Sequence, residues 1–173
     1  MVKKSGLLER LSNRPVICAE GFLFEAERRG YMSSGEFVPE IALENPEALK
    51  NIHRDFQHAG SDVVVAFTYN GHREKMRVIN KEHLLEPLNR AALQIAKQIS
   101  QEDSFGEKNL IAGNISGTHV WDLNDEKSKQ EVRLMFREMI QWAKEEGADY
   151  IIGETFYFAE EAYVALEEIK KLI

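Results

Sequence analysis

The sequence contains one cysteine, Cys18, and no long apolar run. A single thiol excludes a disulfide within the chain and any zinc site built from several thiolates of one chain. No stretch approaches the roughly 20 apolar residues that a transmembrane helix needs. The first residues mix charged side chains with leucine, so they lack the apolar core of a signal peptide. We therefore expect a cytoplasmic protein that does not span a membrane.

Positive charge is also scarce. The 22 basic residues are outnumbered by 29 acidic ones, which gives a net charge of -7. Surfaces that bind a phosphate backbone are normally basic, so nucleic acid is a poor candidate partner. With 43% hydrophobic and 29% charged residues over 173 positions, the composition is typical of one globular domain covering residues 1–173.

Short apolar runs alternate with segments of helical periodicity along the chain. Such alternation predicts an α/β fold, in which parallel strands follow one another in sequential order with flanking helices. The run at 63–67 is almost continuously apolar, as expected for a strand that is covered on both faces. The four predicted strands are residues 15–18, 63–67, 110–113 and 150–153.

The predicted helices carry apolar residues at helical spacing. An opening helix is expected at 5–11, and Asn45-Pro46-Glu47 has the cap, proline and acid typical of a helix start. The apolar positions of the later helices are Leu49, Ile52, Phe56 and Ala59, then Leu88, Ala92, Ile95, Ala96 and Ile99, then Val132, Met135, Phe136, Met139, Ile140 and Ala143, and finally Ala162, Leu166 and Ile169.

A weak internal repeat supports these boundaries. Residues 59–65 resemble residues 146–152, and each copy is followed by a threonine, Thr68 or Thr155. Consecutive strand and helix units form either an open doubly wound sheet or the wall of a barrel, and periodicity leaves both possibilities open. Four strands are half of an eight-stranded barrel, which usually needs about 200 to 400 residues. A half-barrel would expose strand edges that can pair with a second copy or a partner chain.

Ligands of parallel α/β folds bind beyond the carboxyl ends of the strands. Glu154 follows an apolar strand, where an ionised carboxylate needs a cation or several donors. A substrate amino group would serve, although pairing with an arginine or capping of the last helix would also explain it. Similarly, Glu20 beside Gly21 is either a ligand or a solvated loop acid. Thr68 and Tyr69 could bind a substrate carboxylate through their hydroxyls, but they are also ordinary strand-end residues.

The histidines and the cysteine give no metal motif. His53 and His58 are expected on the solvent face of a helix, and no histidine pair has the close spacing of a metal site. Cys18 is expected to be a buried core thiol, because no histidine is placed by sequence to activate it.

Several motifs, taken together, resemble betaine-homocysteine S-methyltransferases over essentially the whole chain. The resemblance implies the N-terminal half of a (β/α)8 TIM barrel. It also implies a homocysteine S-methyltransferase, which moves a methyl group from betaine or a related donor to the homocysteine thiolate and forms methionine. The motifs are Gly21-Phe22-Leu23-Phe24, Asn45-Pro46-Glu47-Ala48, His53-Arg54-Asp55-Phe56, Phe67-Thr68-Tyr69 and Gly153-Glu154-Thr155-Phe156.

The same resemblance implies roles for individual residues. Glu154, with Thr155 beside it, matches the glutamate that holds the substrates, and Gly21 with Glu20 matches the homocysteine loop. Thr68, Tyr69 and Asn70 would face the methyl donor. The zinc of the full-length family enzymes is held by three cysteines from the second half of the barrel. We therefore expect no zinc on this chain alone and assign no catalytic residue within it.

The sequence departs from the family pattern at the expected site. Ala19 stands where the family loop has aspartate, and Glu20 supplies a carboxylate one position later. Asn70, Phe37 and Thr155 replace family aromatic residues, so an aromatic cage for the quaternary ammonium of betaine is reduced. An alternative function follows from the missing cysteines: a non-catalytic half-barrel that binds or assembles through its open sheet edges.

Overall fold

The computed structural model describes residues 4–31, 40–102 and 108–172. Phe37 lies outside these ranges. None of the described helices is long and apolar enough to cross a membrane. The helices are α1 Leu7–Leu11, α2 Phe22–Arg28, α3 Ile41–Glu44, α4 Pro46–His58, α5 Arg73–Val78, α6 Leu85–Ser100, α7 Glu126–Glu146 and α8 Ala159–Leu172, with a 3-10 turn at Glu82–Leu84; the strands are β1 Val63–Val65, β2 Leu110–Ser116 and β3 Tyr150–Glu154.

The described strands form one parallel sheet in the order β1-β2-β3. Val63 is in register with Leu110, and Ser116 is in register with Glu154. Every residue of β1 and β2 is buried, as their apolar sequences require. The predicted α/β class with a parallel sheet is confirmed.

The prediction of a fourth strand at 15–18 is wrong, because the described residues contain three strands. This segment runs beside β1 but makes only an isolated parallel bridge, between Cys18 and Val63. The ladder stops after Cys18, because a side chain rather than the backbone of β1 accepts the next N–H. The Ser61 hydroxyl accepts the N–H of Ala19 (3.1 Å), and the Asp62 carboxylate accepts the N–H of Ile17 (2.8 Å).

An aspartate aligns successive segments in both copies of the internal repeat. The Asp62 carboxylate accepts the N–H of Ile17 at 2.8 Å, while the Asp62 N–H donates to the Ile17 carbonyl at 2.8 Å. The Asp149 carboxylate accepts the N–H of Ile111 at 2.7 Å, and its N–H donates to the Ile111 carbonyl at 2.8 Å. We call this pair of bonds the aspartate clamp. The clamp joins the start of β1 to the segment 15–18, and it joins the start of β3 to β2.

Helix α4 forms as its sequence predicts at the start, where Asn45 accepts the N–H of Ala48. It buries Leu49 and Ile52, whereas Ala59 lies beyond the helix and is exposed. The expected solvent position of His53 is wrong, since this side chain is only 2% exposed. His53 is four residues after Leu49 and therefore shares its buried face.

Helices α7 and α8 cover one side of the sheet. The predicted apolar face of α7 is buried, and α7 lies so close to β2 that a Cβ on Gly113 would come within 2.8 Å of the Ala143 Cβ. The prediction for α8 is wrong at Leu166, which is 42% exposed, whereas Ile169 is half-buried against the core. The buried residues of α8 are instead Glu161, Val164, Ala165 and Glu168.

Candidate functional site

A cavity of about 300 Å³ opens at the carboxyl end of the sheet, at the low end of the volumes that bind small molecules. Parallel strands place their ligands at this edge. The cavity is lined by Glu20, Gly21, Phe22, Leu23, Phe24, Val65, Ala66, Phe67, Tyr69, Asn114, Glu154 and Thr155. Among these residues there is no lysine, arginine or histidine, so the charged groups of the described lining are carboxylates.

Glu154 is the last residue of β3 and is half-buried. Its Oε1 accepts a hydrogen bond of 2.6 Å from the side-chain amide of Asn114 on the neighbouring strand. Within the described ranges, Glu154 forms no ion pair with an arginine, which was one of the two alternative explanations of this residue. Its negative charge is therefore held in place by a neutral donor.

Glu20 belongs to the loop that enters α2. The loop is fixed to the start of β1 by the hydrogen bond from the N–H of Ala19 to the Ser61 hydroxyl. It ends at Gly21, whose φ of 82° favours glycine. Glu20 keeps an exposed surface. Even so, partial burial and the charge of Glu154 raise the pKa of Glu20 to about 7. The two carboxylates therefore make one negative site whose charge changes near neutral pH.

Aromatic rings form one wall of the cavity. Phe22 and Phe67 stack with their ring centroids 5.7 Å apart, and Phe56 packs edge-on against Phe22 at 5.1 Å. His53 supports Phe22 from within the core at 4.8 Å, and burial lowers the pKa of His53 to about 3. A neutral imidazole thus packs as part of an apolar wall. Tyr69 adds a half-buried ring to the lining.

Some of the site residues predicted from the sequence line the cavity, and others do not. Glu20, Gly21, Tyr69, Glu154 and Thr155 line the cavity, whereas Thr68 and Asn70 are buried and are not part of the described lining. These two residues join the end of β1 to β2. The Thr68 hydroxyl donates to the Asn114 carbonyl at 2.6 Å, and the N–H of Asn70 donates to the Ser116 hydroxyl at 3.4 Å.

Two polar residues near the site were given no role from the sequence, although the sequence places Asn114 at the carboxyl end of a predicted strand, where ligands bind. Asn114 is buried in β2, and a polar residue within an apolar strand was the available signal. Glu161 is 1% exposed. Its carboxylate accepts bonds from the backbone N–H (2.7 Å) and the hydroxyl (2.6 Å) of Thr118, which fixes the connection after β2.

The described residues do not fit a zinc site. Within residues 4–31, 40–102 and 108–172, no group of three or more histidine, cysteine, aspartate or glutamate side chains could hold a metal ion. Cys18 is half-buried, with its Sγ 3.7 Å from the Tyr150 hydroxyl. Burial raises the pKa of the Cys18 thiol, which disfavours the thiolate that binds zinc.

Comparisons with known proteins agree on one family. The family model described as homocysteine S-methyltransferase matches residues 11–172. Betaine–homocysteine S-methyltransferase 1 of Sus scrofa is 35% identical over 172 residues, covering 96% of this chain and 60% of the relative. S-methylmethionine–homocysteine S-methyltransferase of Pongo abelii is 31% identical over 169 residues, covering 97% of this chain and 44% of the relative. The chain thus spans about half of the length of these relatives.

A solved structure has the same fold. The metallated homocysteine methyltransferase MmuM of Escherichia coli superimposes with a TM-score of 0.79, covering 95% of this chain and 62% of that protein. Its sequence identity is 18%. The likeness therefore establishes the shared α/β architecture, and the sequence comparisons carry the relationship.

Proposed function

Because the chain belongs to the homocysteine S-methyltransferase family, as the sequence motifs predicted, we propose that it binds homocysteine at the cavity beside Glu154. The bound homocysteine thiolate then receives a methyl group from betaine or a related donor, which forms methionine. The observation that carries the proposal is the oriented carboxylate of Glu154 in a cavity whose described lining contains no basic residue.

The fold that we propose is the N-terminal half of a (β/α)8 barrel, with residues 1–173 as one partial domain. The sequential order of the three strands is that of a barrel wall, and the TM-score of 0.79 to the Escherichia coli methyltransferase supports it. A cytoplasmic location accords with the single cysteine.

The two carboxylates suit the α-ammonium group of an amino acid. An ammonium has three N–H donors, and ionised carboxylates only accept. In this arrangement Glu154 and Glu20 bind the ammonium group of homocysteine, and the backbone at Gly21 leaves room above the loop. The ring wall of Phe22 and Phe67 then covers the side chain of the ligand and excludes water from it.

Methyl transfer requires little acid or base catalysis from these residues. The homocysteine sulfur forms a bond to the methyl carbon while the bond from that carbon to the donor nitrogen or sulfur breaks, and the bonding pair leaves with the donor. Such a displacement depends on close approach in line. The described residues bind and orient the substrates, and they supply no zinc ligand set.

Donor binding is proposed on the side of Tyr69 and Thr155. Two donor names occur among the relatives, betaine and S-methylmethionine, and both molecules carry an onium centre. An aromatic face attracts such a cation, and Tyr69 supplies one in the lining. Thr68 and Asn70 support this role indirectly by holding the end of β1 against β2.

Calorimetric titration of the chain with L-homocysteine tests the proposal. The Glu154→Gln variant keeps the volume of the side chain but removes the charge, so we expect its affinity to fall by more than about tenfold. Glu160→Gln is the matched control, because Glu160 is exposed at the start of α8, and its affinity should be unchanged. Equal affinity of Glu154→Gln and the parent, with unchanged circular dichroism, would exclude this site.

A second function is favoured by the open side of the sheet. Among the described residues β3 pairs with β2 alone, and large hydrophobic residues are exposed in the segment that follows it: Tyr157 70%, Phe158 50%, Tyr163 65% and Leu166 42%. Unpaired edges and apolar patches favour association. The chain would then be a non-catalytic half-barrel that pairs with a second copy or a partner chain. Light scattering distinguishes the functions, since a stable dimer without homocysteine binding supports assembly alone.

A further inference from the structure

Asn114 is an unusual residue for its position. It lies in the central strand β2 and is 4% exposed, among the apolar residues that make up most of that strand. Successive residues of a strand point to opposite faces, and Gly113 faces helix α7. Asn114 therefore faces the other side of the sheet, where it lines the cavity next to Glu154.

Hydrogen bonding determines which way the amide of Asn114 points. The ionised carboxylate of Glu154 can only accept, so the Nδ2 group must face its Oε1, at 2.6 Å. This leaves the Oδ1 atom of Asn114 buried and without a donor among the described residues. A buried carbonyl oxygen that lacks a donor is unfavourable, so the Asn114 amide holds this orientation at a cost to stability.

The backbone of Asn114 is fixed as well. Its N–H donates to the Thr68 hydroxyl at 3.3 Å, and its carbonyl accepts from the same hydroxyl at 2.6 Å. Because its backbone is fixed, the Asn114 side chain can orient the neighbouring carboxylate of Glu154. Because its amide is neutral, Asn114 orients Glu154 without cancelling the negative charge. An arginine in this place would orient the carboxylate and neutralise it at the same time.

We propose that Asn114 is the positioning residue for Glu154, and that the two together select ligands whose nitrogen carries N–H groups over ligands whose nitrogen is fully methylated. The inference rests on the proposed function, since it concerns the same cavity. A primary ammonium can donate to Glu154, as Asn114 orients it, and to Glu20. A trimethylammonium group has no N–H and is held here by charge alone.

The test uses two buried asparagines, Asn109 directly before β2 and Asn114 within it. Asn114→Leu removes an amide that is incompletely bonded, so stability to urea should be unchanged while homocysteine affinity falls about tenfold. Asn109→Leu is the control. Its amide donates to the Ser61 carbonyl at 2.6 Å and accepts from Gln57 at 3.1 Å, so its loss should lower stability and leave the affinity unchanged.

A matched ligand pair separates positioning from a general structural effect. Homocysteine and its N,N,N-trimethyl analogue are titrated against the parent and Asn114→Leu, by competition where binding is weak. We expect the parent to prefer homocysteine by about tenfold or more, and Asn114→Leu to lose most of that preference. An equal loss of affinity for both ligands, or a parent that binds both equally, overturns the inference. Failure of the parent to bind homocysteine overturns the proposed function itself.

Discussion

Glu168 is a buried carboxylate that joins the last two helices through three cations. Its side chain is 0% exposed. It accepts hydrogen bonds from Lys171 at 2.7 Å, from Arg137 at 2.9 Å and from Arg133 at 3.1 Å. Burial raises the pKa of Glu168, but the three hydrogen-bonded cations outweigh burial and lower it from 4.5 to about 2. We expect Glu168→Gln to destabilise the fold by an amount that depends on pH.

The magnitude follows from the pKa. One pKa unit corresponds to about 1.4 kcal/mol, so a fall from 4.5 to about 2 corresponds to about 3 kcal/mol. The side chains of Arg133, Arg137 and Lys171 are 33%, 49% and 56% exposed, and solvent screening reduces the value to about 2 kcal/mol. Because the folded-state pKa is depressed, this stability is present above pH 4.5 and is lost as the pH falls towards 2.

Urea unfolding of the parent and Glu168→Gln at pH 7, 5, 4 and 3 measures the effect. The difference in unfolding free energy should be about 2 kcal/mol at pH 7 and less than half of that at pH 3. Glu167→Gln is the matched control, since Glu167 also pairs with Arg133, at 2.7 Å, but is 41% exposed. That variant should lose less than about 0.5 kcal/mol. A difference for Glu168→Gln that does not change with pH would refute the reasoning.

Two further predictions concern the site. Since the pKa of Glu20 is about 7, its carboxylate gains negative charge between pH 6 and 8, so calorimetry should show homocysteine affinity rising severalfold over that range. Glu20→Gln should flatten this pH profile, and an unchanged slope in that variant would contradict the assignment. Thr155 has a φ of 55°, which is unfavourable for a β-branched residue and tolerated by asparagine. Thr155→Asn should therefore raise the unfolding free energy by about 1 kcal/mol in urea denaturation. A decrease would show that contacts of the Thr155 side chain stabilise the fold by more than its backbone conformation destabilises it.

The strands that the sequence predicts correctly are those with continuous apolar runs. The run at 63–67 contains β1, and the runs at 110–113 and 150–153 lie within the longer β2 and β3. The segment 15–18 has a similar composition but forms only the bridge at Cys18. The N–H of Ala19, where the ladder would continue, bonds to the hydroxyl of Ser61, which lies more than 40 residues away in the chain. A periodicity argument does not include such distant side-chain acceptors.

Polar residues on buried faces account for the other differences. His53 occupies an apolar position of α4, where Phe22 from another helix covers it. Glu168 is buried because cations from α7 reach it. Asn114 has its partner on the adjacent strand. In each case a compensating group is distant in sequence, so the local pattern alone does not show that the side chain is buried. The carboxylates at Glu20 and Glu154 could be located because they directly follow the ends of the segments that place them.

The aspartate clamp has a consequence for how the chain folds. A parallel pairing brings together residues that are far apart in sequence, and searching for the right alignment slows folding. If the pairing slipped by one residue, the carboxylate of Asp62 or Asp149 would lose the backbone N–H that it now accepts, while its ion pair with Arg14 or Lys4 could remain. Each slipped alignment therefore lacks a bond that the native alignment has. The clamp thus favours one register between segments that are distant in the chain, and local pattern and global fold agree on that register.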